Sequence, residues 1–194
     1  LKNYNNQLSK DCIDIATSVW NETKLENDLA KVQLAVALLK TTQEDTYKQF
    51  LVSQSKNIVN HIDKVGWIIG PALPEINDAS FTTKIREAVR GYLVKIKNQE
   101  KETPYGVPYK PNIWGAGWGI QNFGVQQYFL HKSYPDIFPK TYMLNAMNFI
   151  LGVHPGVNTS SFASGVGSES VTLAYGMRRG DVSVIPGGSG AGPA

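Results

Sequence analysis

The sequence has few of the residues that support covalent or metal-centred chemistry. Cys12 is the only cysteine, which excludes an internal disulfide and a cysteine cluster. We expect this side chain to be a small, buried apolar group. The three histidines, His61, His131 and His154, lie far apart, and none has a second ligand three or four residues away. The sequence therefore predicts no metal and no cofactor, with structural or solvent-facing roles for His61 and His131.

Charge is also sparse. Charged residues make up 18% of the chain, the net charge is +3, and no basic run suggests nucleic acid as a partner. No apolar run is long enough to cross a bilayer, and no signal peptide stands at the start. With 194 residues, 42% of them hydrophobic, the chain is long enough to bury a core and is interpreted as one domain or part of one.

Both ends of the sequence look cut. Leu1 stands where an initiator methionine is absent, and the chain stops at Ala194 without completing an element. We interpret the chain as a fragment whose main partner is the remainder of its parent polypeptide. Because half of a fold exposes helix faces that the missing half would cover, we expect poor stability or self-association.

Apolar residues at three-and-four spacing predict six helices and little strand. Ser9 is a plausible cap of the first helix and Thr42 of the third, which we expect to run on to Ile58. The stretch His61–Asp78 is less regular. The remaining helices are predicted to begin near Leu25, Ser80, Gly119 and Pro139. We expect an all-α fold of antiparallel helix hairpins, stacked or closed into a ring, with residues 1–151 as the scaffold.

Residues 152–194 differ in composition from this scaffold. They hold ten of the eighteen glycines and four charged residues. Glycine lets the backbone turn and approach a ligand closely, so a long glycine-rich loop beside a helical scaffold is often functional. The run Gly187–Gly192 lacks the lysine of a phosphate loop, and Ser189 lacks a nucleophile-elbow context. Arg179-Gly180-Asp181 is interpreted as an accidental match to an adhesion tripeptide.

Aromatic residues gather where the helical period is absent. Aromatic rings bind the apolar faces of sugar rings, and nearby amides, arginines and carboxylates bind the hydroxyls. The same rings would also fit as plugs between helices. Arginine and aspartate in the low-charge loop favour a carbohydrate cleft. The aromatic residues concerned are Tyr105, Tyr109, Trp114, Trp118 and Phe123.

Four short segments, taken in order and spacing, resemble the C-terminal half of glycoside hydrolase family 9. The family has a Trp-Gly-Ser run with a downstream Asn, a helix ending in a Tyr-Leu-Leu-Gly-x-Asn-Pro-like turn, and a Ser-(Phe/Tyr)-x-x-Gly-(Phe/Val)-Gly loop. The resemblance covers roughly residues 104–167. The matching segments are Tyr105–Pro108, Trp114-Gly115 with Asn122, Asn145–Pro155 and Ser160–Gly167.

The resemblance implies an (α/α)6 toroid, of which this chain supplies most of the C-terminal half. It implies a secreted or periplasmic parent enzyme that hydrolyses β-linked glucan or a related polysaccharide with inversion. In that chemistry one carboxylate activates water and another protonates the leaving oxygen, about 6.5–9.5 Å apart. The family's Asp-Ala-Gly-Asp-like and Asn-Glu motifs are both absent before Ala194. Both catalytic carboxylates are therefore expected outside this chain, which alone is expected to be inactive.

The resemblance implies that particular residues of this chain bind the substrate. Trp114 matches the family's stacking tryptophan, and Trp118 falls where many members have an arginine. The family's His-Pro-His-His-Arg run is replaced by a segment without histidine, in which Arg178 or Arg179 takes the place of the arginine. The candidate substrate-binding set is Trp114, Trp118, Asn122, His154, Asn158, Arg178, Arg179 and Asp181.

Two alternatives stay open at this point. The first keeps a helical toroid but changes the chemistry to that of a polysaccharide lyase or another glycosidase. The second is a non-enzymatic helical module whose aromatic cluster binds a peptide. Sugar binding would distinguish the glycoside hydrolase and the lyase, which both bind saccharides, from the peptide-binding module, which does not.

Overall fold

The structure, a computed structural model, is mostly helical, which confirms the prediction of an all-α protein. It describes residues 3–22, 29–103, 106–108, 116–153, 157, 159–167, 169–170 and 188. Within these ranges there is no strand, and one isolated bridge joins Ser160 to Glu169. None of the helices described has the length and hydropathy needed to cross a bilayer. The chain divides into two compact units, Leu1–Tyr92 and Leu93–Ala194.

The N-terminal unit is built around the second of its helices. α2 (Leu29–Thr42) buries Val32, Ala35, Val36, Leu38 and Leu39 and packs against α1 (Asn6–Glu22), α3 (Asp45–Ser53) and α5 (Ile62–Ile69). Its other side is exposed at Ala30, Gln33, Ala37 and Lys40, so α2 faces the core with one side. The helices are α1 (Asn6–Glu22), α2 (Leu29–Thr42), α3 (Asp45–Ser53), α4 (Ser55–Asn60), α5 (Ile62–Ile69) and α6 (Leu73–Ile76), with a 3-10 turn at Gly70–Ala72.

Helix starts in this unit differ from the predicted ones. The Asn5 side chain, not that of Ser9, accepts a hydrogen bond from the backbone N–H of Leu8 at 2.9 Å and so caps α1. Thr42 is the last residue of α2, and its hydroxyl donates back to the carbonyl of Leu38. Gln43 adopts a positive φ of 61°, which separates α2 from α3. The prediction of Thr42 as the cap of the third helix was therefore wrong.

Three further expectations for this unit were wrong. The helix predicted to run to Ile58 is interrupted at Gln54, where α3 ends and α4 begins. The stretch His61–Asp78, expected to be less regular, is largely helical because its prolines stand in the first turns of short helices, where a missing N–H is tolerated. Cys12 was expected to be buried, but its side chain is exposed on α1.

α7 (Ala79–Glu100) is the longest helix and begins one residue before Ser80. Its cap is Asp78, whose carboxylate accepts the N–H of Phe81 at 2.7 Å. The amphipathic pattern read from the sequence is confirmed, since Phe81, Ile85 and Val89 are buried along one side.

The C-terminal unit is organised around an antiparallel helix pair, α8 (Ala116–Ser133) and α9 (Thr141–Ile150). Gly124 lies where the two helices approach most closely, because a Cβ built there would stand 3.0 Å from the Cβ of Ala146. The predicted helical pair is confirmed. Pro139, however, precedes α9 rather than occupying its first turn. The apolar alternation of residues 182–185, which is typical of a short strand, lies outside the described residues.

Candidate functional site

Two of the eight predicted substrate-binding residues fall within the described part of the chain, and both lie on α8. Trp118 and Asn122 are four residues apart, so their side chains share one face of the helix. The other six, Trp114, His154, Asn158, Arg178, Arg179 and Asp181, lie outside the described residues. The hypothesis of a carbohydrate cleft places Trp114 and the two arginines in one groove, and all three residues lie outside the described part of the chain.

Trp118 and Asn122 belong to a longer exposed row, which we call the α8 stripe. The row consists of Trp118, Asn122, Val125 and Phe129, spaced four, three and four residues apart. Trp118 is 58% exposed, Asn122 and Val125 are exposed, and Phe129 is half-buried. Residues at this spacing line one side of an α-helix. The sequence therefore presents an aromatic–amide–aliphatic–aromatic series along the solvent side of α8.

Polar and aromatic groups also stand beside the stripe. Gln121 is exposed one residue before Asn122, and the exposed ring of Tyr128 meets that of Phe129 edge to face at 5.2 Å between centroids. Each amide offers two donors and one acceptor oxygen. The face therefore combines ring platforms with neutral hydrogen-bonding groups.

The α8 face carries no formal charge along most of its length. The sequence of α8 contains no Asp, Glu or Arg, and its one lysine, Lys132, lies in the last turn. A basic side chain at this end complements the partial negative charge of the helix C-terminus. The nearby His131 is held structurally, with Nδ1 2.6 Å from the carbonyl oxygen of Phe138. The exposed surface between Trp118 and Phe129 is therefore suited to a neutral ligand.

The opposite side of α8 fixes the helix in place. Ile120, Phe123, Gln127 and Leu130 are buried there, at the spacing of one helix face. Gln127 is 1% exposed, and neither atom of its amide group has a hydrogen-bond partner. A Cβ at Gly124 would stand 3.0 Å from the Cβ of Ala146, so the glycine lets the Ala146 side chain pack close to the backbone of α8. The α8 stripe therefore stands on a helix whose rear is tightly packed.

α9, which supports α8, is anchored by a polar contact that the sequence did not indicate. The Tyr142 hydroxyl donates to Glu100 Oε2 at 3.0 Å. Burial, followed by this hydrogen bond and the negative charge of Glu100, raises the pKa of Tyr142 to about 12. Tyr142 was read from the sequence as an apolar inner-face residue, and a buried tyrosine hydroxyl usually has a partner. Its partner lies 42 residues away in the chain, so no local pattern could identify it.

A second contact ties the Tyr105–Pro108 motif to α9. Asn145 Nδ2 donates to the carbonyl oxygen of Gly106 at 2.8 Å. Gly106 has a positive φ of 61°, and a Cβ there would lie 3.0 Å from Asn145 Nδ2. Two of the segments that carry the family resemblance are therefore in direct contact within this unit.

The Ser160–Gly167 loop closes against the end of α9. The N–H of Phe162 donates to the carbonyl of Ile150 at 2.8 Å, and its ring lies 5.5 Å from that of Phe149. Gly167 has a φ of +96°, and a Cβ there would lie 2.6 Å from the carbonyl oxygen of Leu151. Only glycine therefore fits this position without displacement of the backbone. The loop adds a defined edge to the end of the helix pair.

No group of three or more His, Cys, Asp or Glu side chains that could hold a metal occurs among the residues whose placement is described. His61 Nδ1 lies 3.0 Å from the carbonyl of Asn57, so it too is held structurally, as predicted.

The sequence reading found Trp118 and Asn122 but missed Gln121, Val125, Tyr128 and Phe129. Val125 and Phe129 could have been recognised from their spacing of three and four residues after Asn122, which places them on the same side of the predicted helix. Because α8 carries almost no charge, the sequence shows little contrast between the buried and exposed sides.

No family model, curated protein or solved structure matches the chain. The functional assignment is therefore supported by the sequence motifs and by the geometry of α8 and the elements packed behind it.

Proposed function

We propose that the chain is part of an inverting glycoside hydrolase acting on β-linked glucan or a related polysaccharide, and that the α8 stripe is a sugar-binding surface. The observation that carries this proposal is the pairing of an exposed indole, Trp118, with an exposed amide, Asn122, one turn apart on an uncharged face. In this proposal the helix pairs belong to an (α/α)6 toroid whose other half lies in the remainder of the parent polypeptide.

The chemistry of the face supports a neutral saccharide. An indole offers a broad apolar surface for the C–H groups on one face of a pyranose ring. Asn122 and Gln121 offer donors and acceptors for the hydroxyls that point outward from the ring. No charged side chain on this part of α8 would have to be desolvated when the sugar binds.

This chain and the remainder of the parent enzyme contribute different groups in this proposal. Hydrolysis with inversion needs a carboxylate that activates water and a carboxylic acid that protonates the leaving oxygen. By resemblance to family 9 both belong to segments outside residues 1–194. The chain itself orients and holds the polysaccharide, so we expect it to bind glucan without cleaving it.

The test is binding of cello-oligosaccharides to the 194-residue chain, followed by calorimetry and by tryptophan fluorescence. We expect Trp118→Ala to weaken binding about fivefold or more, since an aromatic platform contributes on the order of 1 kcal/mol or more. Tyr4→Ala is the matched control, because Tyr4 is an exposed aromatic residue (94%) on another part of the chain. Equal affinities for the wild type, Trp118→Ala and Tyr4→Ala would refute the role of Trp118.

Asn122→Ala tests the amide separately. We expect a loss of about threefold to tenfold, the size of one net hydrogen bond. Asn98→Ala, a change at an exposed amide on α7, is the control and should leave the affinity unchanged.

One observation bears on the lyase alternative. Polysaccharide lyases act on sugars with a carboxylate, which a cationic side chain would bind. Within α8 itself, no cation precedes His131 and Lys132 in the last turn. The neutral face therefore favours a glucan over a uronate polymer. Stronger binding of an oligouronate than of a cello-oligosaccharide would reverse this choice.

A peptide-binding module is the second candidate function. Its supporting observation is the helical spacing of Trp118, Val125 and Phe129, which resembles the anchor pattern of a helix that docks in a groove. Under this alternative the chain would bind an amphipathic peptide and would bind no oligosaccharide.

A further inference from the structure

The α8 stripe has an aromatic group near each end. Trp118 lies in the first turn of α8, and the Tyr128–Phe129 ring pair lies ten and eleven residues later. A helix rises 1.5 Å per residue, so Trp118 and Phe129 are separated by about 16 Å along the axis. Tyr128 is 46% exposed and presents the more accessible ring of the pair.

The residues of α8 between these two aromatic groups are uncharged. Val125 lies between them on the stripe and is exposed, and Asn122 and Gln121 supply amide groups on the Trp118 side. A valine side chain is short compared with an indole or a phenol ring, so Val125 itself does not stand between the two rings. The same stretch contains no acidic or basic residue.

We propose that the stripe binds a linear, neutral glucan chain along the axis of α8, with Trp118 as one platform and the Tyr128–Phe129 pair as a second. This inference rests on the proposed function and deepens it, because it gives the ligand a direction and a minimum length. A short saccharide contacts Trp118 and the adjacent amides only. A longer chain passes over Val125 and also contacts the second platform.

The two platforms make affinity depend on ligand length. Once a chain is held at Trp118, its far end meets the second platform without a further loss of translational freedom. The additional stacking contact should then appear almost in full in the measured affinity. An aromatic contact of ordinary strength corresponds to about a tenfold gain.

The experiment is a calorimetric titration of the full 194-residue chain with cello-oligosaccharides from the disaccharide to the hexasaccharide. We expect the dissociation constant to fall about tenfold over the series. Tyr128→Ala should remove most of this gain and leave the disaccharide affinity unchanged. Trp118→Ala should weaken binding at every length.

Val125→Glu tests the path between the platforms. The longer side chain at this position should obstruct the path of the glucan chain over residue 125, so it should remove the length-dependent gain while the disaccharide still binds. Val94→Glu is the matched control, since Val94 is an exposed valine (57%) on α7. Thermal melting of each variant separates lost binding from lost folding, and Phe129→Leu serves as a conservative second change at the far platform.

The outcomes separate this inference from the function on which it rests. Absence of binding at every length would overturn both. Binding that depends on Trp118 but not on length would overturn the second platform and leave the sugar-binding function standing. A loss in Tyr128→Ala that is equal for the disaccharide and the hexasaccharide would also overturn the two-platform arrangement.

Discussion

α1 and α8 each carry an exposed row of side chains with the same spacing but different chemistry. The α1 stripe, which we define as Leu8, Cys12, Ile15 and Val19, repeats the intervals of four, three and four residues found in the α8 stripe. Ile15 is 65% exposed, comparable with Trp118 at 58%. The α1 stripe is aliphatic and has no aromatic or amide member. Spacing therefore determines which side chains share a face, and their chemistry determines what that face can bind.

The two helices also differ in what lies behind the stripe. No described residue of α1 is buried, and its inner side is half-covered through Trp20, whose ring meets those of Tyr47 and Phe50 edge to face at 5.1 and 4.8 Å. The rear of α8 instead contains fully buried side chains such as Leu130. A binding surface gains precision from a rigid support. This difference favours α8 over α1 as the place where a ligand is held.

The largest expected effect tests that difference in support. Leu130→Ala should lower the free energy of unfolding by about 3 kcal/mol, because it removes a fully buried side chain and leaves a cavity. Ile13→Ala, on the half-covered side of α1, should cost about 1 kcal/mol. Hydrogen exchange, measured separately for amides of α8 and α1, reports each effect within its own helix. Equal losses would show that α1 is supported as firmly as α8.

The next effect tests the chemistry of the α1 stripe. We expect the wild-type chain to self-associate through this aliphatic row, and Ile15→Asp to raise the dissociation constant at least about tenfold, the value of burying one isoleucine. Sedimentation equilibrium under reducing conditions measures it, since the exposed Cys12 would otherwise form disulfides between copies. Sugar binding at α8 should be unchanged.

Val94→Asp serves as the control for this prediction, because it places the same charge at another exposed aliphatic site. If Val94→Asp lowers self-association as much as Ile15→Asp, the effect would come from net charge and not from the α1 stripe. A wild-type chain that stays monomeric at high concentration would contradict the prediction directly.

Sequence reasoning succeeded where long periodic patterns decide the outcome. The inner face of α7 through Phe81, Ile85 and Val89 was predictable because the pattern continues over many turns. Helix starts were less predictable, since several adjacent polar residues can each act as a cap. Asn5 rather than Ser9 caps α1, and Asp78 caps α7. Local backbone geometry decides which side-chain oxygen reaches the free N–H groups of the first turn.

Exposure of individual side chains was harder to predict than helix position. Cys12 follows the apolar pattern of α1, yet its side chain is exposed. For Trp118 the sequence could place the residue near the site but could not tell an exposed platform from a core plug. That distinction depends on which neighbours pack against α8, and such neighbours are distant in sequence.

The smallest expected effect compares how the two regions are held by polar contacts. Within α1, Gln7 bonds to Asp11 and Ser18 to Glu22, each only four residues along the same helix. α9, which packs behind α8, is instead held by the hydrogen bond from Tyr142 to Glu100, a residue far away in the sequence. At pH 8 we expect Tyr142→Phe to cost about 1 kcal/mol of unfolding free energy, more than Ser18→Ala, because its bond is buried and charge-assisted.

The two contacts should also differ in their dependence on pH. The pKa of Tyr142 is raised from 10.0 to about 12 in the folded protein, so the folded state retains a proton that the unfolded state releases. The stabilisation is complete below pH 10 and is lost as the pH rises toward 12. Chemical denaturation from pH 8 to pH 11.5 should show the difference between wild type and Tyr142→Phe shrinking above pH 10. The deficit of Ser18→Ala is the reference and should stay constant over this range. Parallel curves for wild type and Tyr142→Phe would mean that the Tyr142 hydroxyl is not buried against Glu100 in the folded protein.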